Sequence, residues 1–252
     1  MRSERLAFPG HRGDRLAAQL DRPDEGEPVG YALFAHCFTC SKNLKAMQRI
    51  DRALTDQGFG VLRFDFTGLG ESEGDFAETN FSSNVDDLVA ATRYLEAEHE
   101  APRILVGHSF GGAAVLQAAH RVPSCRAVAT IAAPCKPAHI KHLLAGREAE
   151  IAERGETEVT LAGRAFRIQR HFLDDLDEQR MDAFIANLRR ALLVLHGPFD
   201  DTVGIENAAH IFEAAKHPKS FISLDRADHL LSDDRDARYV GTMVASWAQR
   251  YL

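Results

Sequence analysis

The order Arg103-Ile104-Leu105-Val106-Gly107-His108-Ser109-Phe110-Gly111-Gly112-Ala113-Ala114-Val115-Leu116 constrains this chain more than any other stretch. A short apolar run passes directly into a serine flanked by glycines, and an Ala-rich stretch of high helical propensity follows. A strand that turns straight into a helix must pack that helix back on the face of a sheet, which few architectures allow. A serine in such a turn stands proud of the strand ends, close to the positive end of the helix dipole. The turn closes only with small residues on either side. Because a serine hydroxyl is a weak nucleophile at neutral pH, it needs a base, and the base needs an orienting acid. Ser109 is therefore a candidate nucleophile, and its partners are to be sought downstream.

The rest of the chain alternates strand-like and helix-like segments, which predicts an α/β fold: a mostly parallel central sheet with helices on both faces. Segments 3–8 and 15–20 bracket the turn-rich Pro9-Gly10-His11-Arg12-Gly13-Asp14 and read as an antiparallel N-terminal hairpin. Strands are expected at 30–35, 60–64, 103–107, 126–132, 191–195 and 220–224. The expected helices lie at 44–57, 82–98, after Ser109, and near 205–215 and 234–250. The stretch between Pro134 and Ala191 is too long for a simple crossover; it contains a hairpin-like alternation over 159–168 and a helical run over 181–188. Residues 136–188 are thus expected to form an inserted cap over the site, with 1–135 and 189–252 as the core. Leu143, Leu144, Phe172, Leu173 and Phe184 are read mainly as the cap's own core. Their character points to an apolar acyl or aryl group in the pocket.

Two acids and one histidine follow at suitable places. The strand-like Ala191–Leu195 runs into His196-Gly197-Pro198-Phe199-Asp200-Asp201-Thr202-Val203, and the strand at 220–224 runs into Asp225-Arg226-Ala227-Asp228-His229. His229 alone among twelve histidines follows the last strand, so it is the expected base. Spacing does not separate Asp200 from Asp201 as the orienting acid, because both leave the same strand end. Asp228, adjacent to His229, is poorly placed to orient the imidazole and reads as solvated or capping. His36 and His196 read as satisfied turn residues beneath the site. Charge developing on a substrate carbonyl would need two backbone N–H groups. Phe110, the residue after the serine, is one donor. The other is expected from His36-Cys37-Phe38-Thr39-Cys40-Ser41-Lys42, the loop after an early central strand.

These motifs resemble the serine-hydrolase branch of the α/β-hydrolase superfamily, in which H-G-x-x-D-x-x-V places the acid on Asp200 and leaves Asp201 as the fallback. The H-G-F loop of related esterases maps the second oxyanion donor to Phe38, with the departure that Cys37 stands where glycine is usual. Arg63-Phe64-Asp65-Phe66-Thr67-Gly68-Leu69-Gly70-Glu71-Ser72-Glu73-Gly74 and Phe81-Ser82-Ser83-Asn84 are similar to small cinnamoyl and feruloyl esterases. Together with the 36–42 loop they look closer to the hydrolase half of bacterial proteins fused to a C-terminal OsmC domain. The resemblance implies either a standalone relative or a shortened form of such a fusion. It also implies a serine hydrolase that cleaves carboxylic esters through Ser109, His229 and Asp200, with Phe38 and Phe110 as oxyanion donors. Asp65 is read as a loop-fixing acceptor for nearby amides.

Composition excludes several rivals. A chain of 252 residues, 45% hydrophobic and 27% charged, can bury one substantial α/β core. A net charge of −7 without a dense Lys/Arg cluster lacks the footprint of a nucleic-acid binder. No apolar run reaches bilayer-spanning length, and the start has no signal-peptide core, so a cytoplasmic protein is expected. The expected partner is a small-molecule ester; no cofactor or metal is implied, and a homodimer is compatible with the sequence. Cys37, Cys40, Cys125 and Cys135 suit a reducing compartment with free thiols. Cys37 and Cys40 form a C-x-x-C without a second pair to hold zinc. A packing role on the oxyanion loop is favoured over the alternative of a thiol-redox or stress-response protein, while a thioesterase or peptidase on the same scaffold is a further alternative.

Overall fold

The computed structural model describes residues 1–144, 146–161 and 163–252; Ala145 and Ala162, both within the segment expected to be a cap, lie outside the described residues. Ten strands are present among the described residues. They are β1 (Arg2–Pro9), β2 (Arg15–Arg22), β3 (Tyr31–Ala35), β4 (Gly60–Phe64), β5 (Ile104–His108), β6 (Ala127–Ile131), β7 (Glu156–Leu161), β8 (Arg164–Gln169), β9 (Ala191–His196) and β10 (Lys219–Ser223). Eight of them form one sheet in the order β1-β2-β4-β3-β5-β6-β9-β10, and β7 and β8 pair separately. β2 runs antiparallel to β1 and β4, and from β4 to β10 every neighbouring pair is parallel.

The helices are α1 (Lys45–Asp56), α2 (Phe81–Glu98), α3 (Phe110–Ala118), α4 (Glu148–Arg154), α5 (Arg170–Glu178), α6 (Met181–Ala186), α7 (Glu206–Ala214) and α8 (Asp234–Ala248). The central strands are buried along their whole length because both faces are covered, as the βαβ arrangement requires. Successive side chains serve opposite layers. Ala32 and Phe34 pack with Met47, Ile50 and Leu54 of α1 and Val240 and Val244 of α8, while Leu33 and Ala35 pack with α2, α3 and α7. α1 and α8 approach closely at Gly241, where a Cβ would lie 2.7 Å from the Ala53 side chain and the Ile50 carbonyl. The start of α2 is set by a capping box in which Asn80 and Ser83 exchange side-chain and backbone hydrogen bonds.

The elements expected from the sequence are found within a few residues of their predicted bounds. The stretch between β6 and β9 contains more structure than its sequence pattern indicates. A 3-10 turn over Pro137–Leu144 and the helices α4 and α5 accompany the β7–β8 hairpin and α6. α5 carries its buried Phe172, Leu173 and Leu176 on one face, but it is a single short charged helix without a side-chain cap. Leu144, Phe172 and Leu173 are buried, whereas Leu143 is exposed.

Candidate active site

The turn between β5 and α3 is built by exclusion. A Cβ on Gly107 would stand 2.3 Å from the Gly111 carbonyl oxygen, one on Gly111 would stand 2.5 Å from the carbonyl oxygens of Ala35 and His36, and one on Gly112 would strike Ala133 at 2.5 Å. With strand, turn and helix pressed together, Ser109 is forced to φ 54° and ψ −124°, a conformation non-glycine residues seldom adopt. It is held there by its N–H donating to the Ile131 carbonyl at 2.8 Å and by Gly112 N–H donating back to the Ser109 carbonyl at 2.8 Å. The first residue of α3 is Phe110, whose N–H has no acceptor one turn earlier.

Two chain-distant loops meet at this turn. His229, beyond the end of β10, places Nε2 3.0 Å from Ser109 Oγ and Nδ1 2.8 Å from Asp200 Oδ2. Asp200, after β9, accepts the N–H groups of Thr202 at 3.0 Å and Val203 at 2.8 Å through its other oxygen. Asp201 is exposed and, among the described residues, meets only the Thr202 hydroxyl, at 3.3 Å. Of the two acids that spacing left open, Asp200 is the one brought to the imidazole. Burial raises the Asp200 pKa, yet hydrogen bonds from His196, His229 and the Val203 N–H together outweigh it and hold the carboxyl well below the usual carboxylate range. An ionised Asp200 accepts from Nδ1–H, which leaves the Nε2 lone pair facing the serine hydroxyl. Asp228 is exposed and accepts the Ser232 N–H at 2.8 Å.

Three further buried imidazoles lie around this arrangement, and for one of them, His108, the sequence indicates no role. Its Nε2–H donates to the His229 carbonyl at 2.7 Å, and the two rings lie 5.2 Å apart. Burial, and then the neighbouring His229, push the His108 pKa down to about 4, so the ring is neutral. Its only sequence signal is its place immediately before the serine, where a strand side chain must point away from the turn. His196 donates from Nε2 to the Val203 carbonyl at 2.7 Å. His36 is fully buried, with Nδ1 2.8 Å from the Cys37 carbonyl, and burial lowers its pKa.

The loop after β3 is held by side chains. Lys42 donates through its backbone N–H to Asp65 Oδ1 at 2.6 Å and through Nζ to Asp65 Oδ2 at 2.6 Å, and the Glu71 N–H adds a bond of 3.0 Å to the same carboxylate. Phe38 lies against Phe110, with ring centroids 5.3 Å apart, and against Phe172 at 5.7 Å. The two residues expected to donate to an oxyanion are therefore neighbours. The positive φ in this loop falls on Thr39, at 60°, so Cys37 needs no glycine conformation. The expectation that all four cysteines are free thiols is corrected here. Cys37 and Cys40 form a disulfide, because the turn closed by Cys40 N–H on the Cys37 carbonyl brings their Cα atoms to 5.3 Å, within bridging range; Cys125 and Cys135 are free.

Ser109 and His229 open into a cavity of about 490 Å³ whose walls are largely apolar, with Phe38, Leu44, Pro134, Ile140, Leu143 and Leu161 among the residues lining it. Among the described residues no group of three or more His, Cys, Asp or Glu is placed to hold a metal ion, and no helix is long and apolar enough to cross a membrane.

A parallel sheet with helices on both faces and a serine on a strained turn between strand and helix defines an α/β-hydrolase. Residues 40–171 match the family described as serine aminopeptidase, S33, and the chain belongs to it. The esterase domain of a Rhodothermus marinus protein is 54% identical, with a TM-score of 0.83 over 100% of this chain and 99% of that one. Est1E from Butyrivibrio proteoclasticus, solved with ferulic acid bound, superposes with a TM-score of 0.79 at 20% identity, over 98% of this chain and 99% of that one, and so shares the fold. Palmitoyl-protein thioesterase ABHD10, mitochondrial, from Mus musculus is 27% identical over 189 residues, 71% of this chain and 62% of that protein.

Proposed function

We propose that this chain is a serine hydrolase of carboxylic esters with short or aryl acyl groups, and that Ser109, His229 and Asp200 act as its triad. The observation that carries the reading is the continuous path of 3.0 Å and 2.8 Å contacts from Ser109 Oγ through His229 to Asp200, at the floor of an apolar cavity. The Rhodothermus marinus relative, described as an esterase domain, supports the substrate class.

In this mechanism His229 Nε2 takes the hydroxyl proton as Ser109 Oγ attacks the ester carbonyl, and the resulting oxyanion is held by the N–H groups of Phe38 and Phe110. His229 then returns the proton to the departing alcohol oxygen, leaving an acyl group on Ser109. Water repeats the sequence, with His229 as base, and frees the acid. Asp200 keeps Nδ1 protonated throughout and stabilises the imidazolium. Residues 136–188 serve as a cap whose turn at 137–144 and β7–β8 hairpin contribute Ile140, Leu143 and Leu161 to the acyl pocket. The resemblance to a thioesterase makes acyl thioesters a second substrate class for the same acyl-enzyme chemistry. The thiol-redox alternative draws less support: Cys37 and Cys40 both precede the first turn of α1, where a helix N-terminus would activate a thiol.

The test is a panel of p-nitrophenyl esters, hydroxycinnamoyl esters and acyl thioesters, with fluorophosphonate labelling. Labelling confined to Ser109 and turnover abolished in Ser109→Ala support the reading. Ester turnover that survives the substitution refutes it.

A further inference from the structure

The cavity above Ser109 has an unusual charge balance. The protein carries a net charge of −7, yet among the described residues no Asp or Glu lines this cavity, and the one permanent charge among them is Arg164 at the start of β8. The buried cations Lys42 and Arg63 are neutralised, the first by Asp65 and Glu71 and the second by Asp21 and Asp51, whereas Arg164 is exposed and only its contact with Thr39 is part-buried. Arg164 has no such partner. Among the described residues no carboxylate lies within 4.0 Å of its guanidinium. One of its N–H groups donates to the Thr39 carbonyl, next to Phe38, and its guanidinium carbon sits 5.1 Å from the centre of the Phe166 ring.

These contacts aim the side chain without neutralising it. A guanidinium carries five N–H donors in a rigid fork, and the Thr39 carbonyl takes one, so a pair remains for a planar anion. An uncompensated charge at the wall of a low-dielectric, acid-free cleft attracts anions more effectively than the same charge on an open surface. Its field is felt at the base of the site, where it adds to the burial and the Lys42 charge that disfavour protonation of His36.

We propose that Arg164 selects esters bearing an anionic group, above all a carboxylate, which it binds at the mouth of the cavity while the reacting carbonyl lies over Ser109. This rests on the ester-hydrolase reading and deepens it to a substrate class: monoesters of apolar dicarboxylic acids, or esters whose alcohol half carries a carboxylate. The contact is remote from the reacting carbonyl and equal in ground and transition states, so it acts on KM more than on kcat.

The experiment compares p-nitrophenyl hemiadipate with p-nitrophenyl hexanoate, which differ at the acyl end. It also compares meta-carboxy-para-nitrophenyl butyrate with para-nitrophenyl butyrate, which differ in the leaving group. Each is measured on the full chain, Arg164→Gln and Arg164→Lys. For at least one anionic member the wild-type chain is expected to show a KM about tenfold below that of its neutral partner, a preference lost in Arg164→Gln, partly kept in Arg164→Lys, and suppressed by about 0.5 M NaCl. The arm that shows the preference identifies which half of the ester faces Arg164. Equal loss on neutral and anionic esters would mean that Arg164 only clamps the Thr39 carbonyl, and would overturn the proposal. So would the absence of any charge preference in the wild-type chain, a result that needs no variant to fold. Serine-dependent turnover of neutral esters without a preference sinks this inference alone. No serine-dependent turnover of any ester sinks the underlying reading as well.

Discussion

The two loops that supply Phe110 and Phe38 reach the same place by opposite means. The Ser109 turn is rigid because there is no space in it: the backbone carbonyls of Ala35, His36 and Gly111 stand where side chains would be, and only glycine fits. The 36–42 loop contains no glycine and owes its shape to side-chain tethers, one within the loop and the others from elsewhere in the chain. These are the Cys37–Cys40 bridge, the Lys42–Asp65 pair, the Arg164 contact at Thr39 and the stacking of Phe38 on Phe110 and Phe172. Steric exclusion is all-or-none, because the blocking atoms are backbone or packed side chains that cannot move aside, whereas each tether supplies only part of the hold on the second loop. The first loop should therefore fail abruptly on substitution and the second by degrees.

The most severe break is expected at the Ser109 turn itself. Ser109→Ala should lower kcat by about 10⁴-fold or more, since the three residues of the proposed triad would act as a unit. Asp200→Asn should follow at about 10³-fold to 10⁴-fold, because the imidazole loses its working tautomer, while Asp201→Asn stays within about twofold. Steady-state turnover of one p-nitrophenyl ester ranks all three, and the reverse order of the two aspartates would move the acid by one position.

The contrast between the loops is sharpened by pairing Gly111→Ala with Thr39→Gly. A methyl group on Gly111 meets two carbonyl oxygens at 2.5 Å and should cost about 3 kcal/mol of stability with a turnover loss of about 100-fold. Glycine at Thr39 relieves a φ of 60° and should leave stability within about 1 kcal/mol. Denaturant titration of both variants checks the pair, and equal losses would erase the distinction. Phe38→Ala keeps the backbone N–H but removes the ring beside Phe110, so a loss of about tenfold in kcat is expected, largely restored in Phe38→Leu.

The smallest effect on turnover and the clearest on pH dependence is expected at His108. The unfolded imidazole titrates near 6.5, and the folded one only at about 4. Protons are therefore taken up on unfolding in this window, and wild-type stability falls as pH drops through it by up to about 3 kcal/mol. Asp51 opposes this. Burial raises its pKa to about 7 in spite of Arg63, so its contribution is present at low pH and lost as pH rises through 7. The difference in unfolding free energy between His108→Gln and wild type, measured from pH 7 to pH 4, isolates the histidine. A flat difference curve would mean that His108 titrates alike in the folded and unfolded chain, so that burial does not lower its pKa.

Much of the architecture could be read from residue order. Apolar runs between turn signals gave the parallel strands, and the glycines around Ser109 marked a turn between strand and helix that only small residues can close. These are short-range effects, set by sterics and by the twofold and 3.6-fold periods of the backbone, so the linear string contains them. His229 was legible for the same reason, as the histidine after the last strand. The choice between Asp200 and Asp201 was not, because neighbours on one turn differ only in the direction their side chains take, and that follows from the amides of Thr202 and Val203 meeting one carboxylate. Nor was the cystine at Cys37 and Cys40, the carbonyl contact of His108 with His229, or the unpaired cation of Arg164, which lies 55 residues beyond Ser109. Each of these depends on which groups come to share a small volume, and such proximity exists only once the sheet, its helices and the segment between β6 and β9 have packed together.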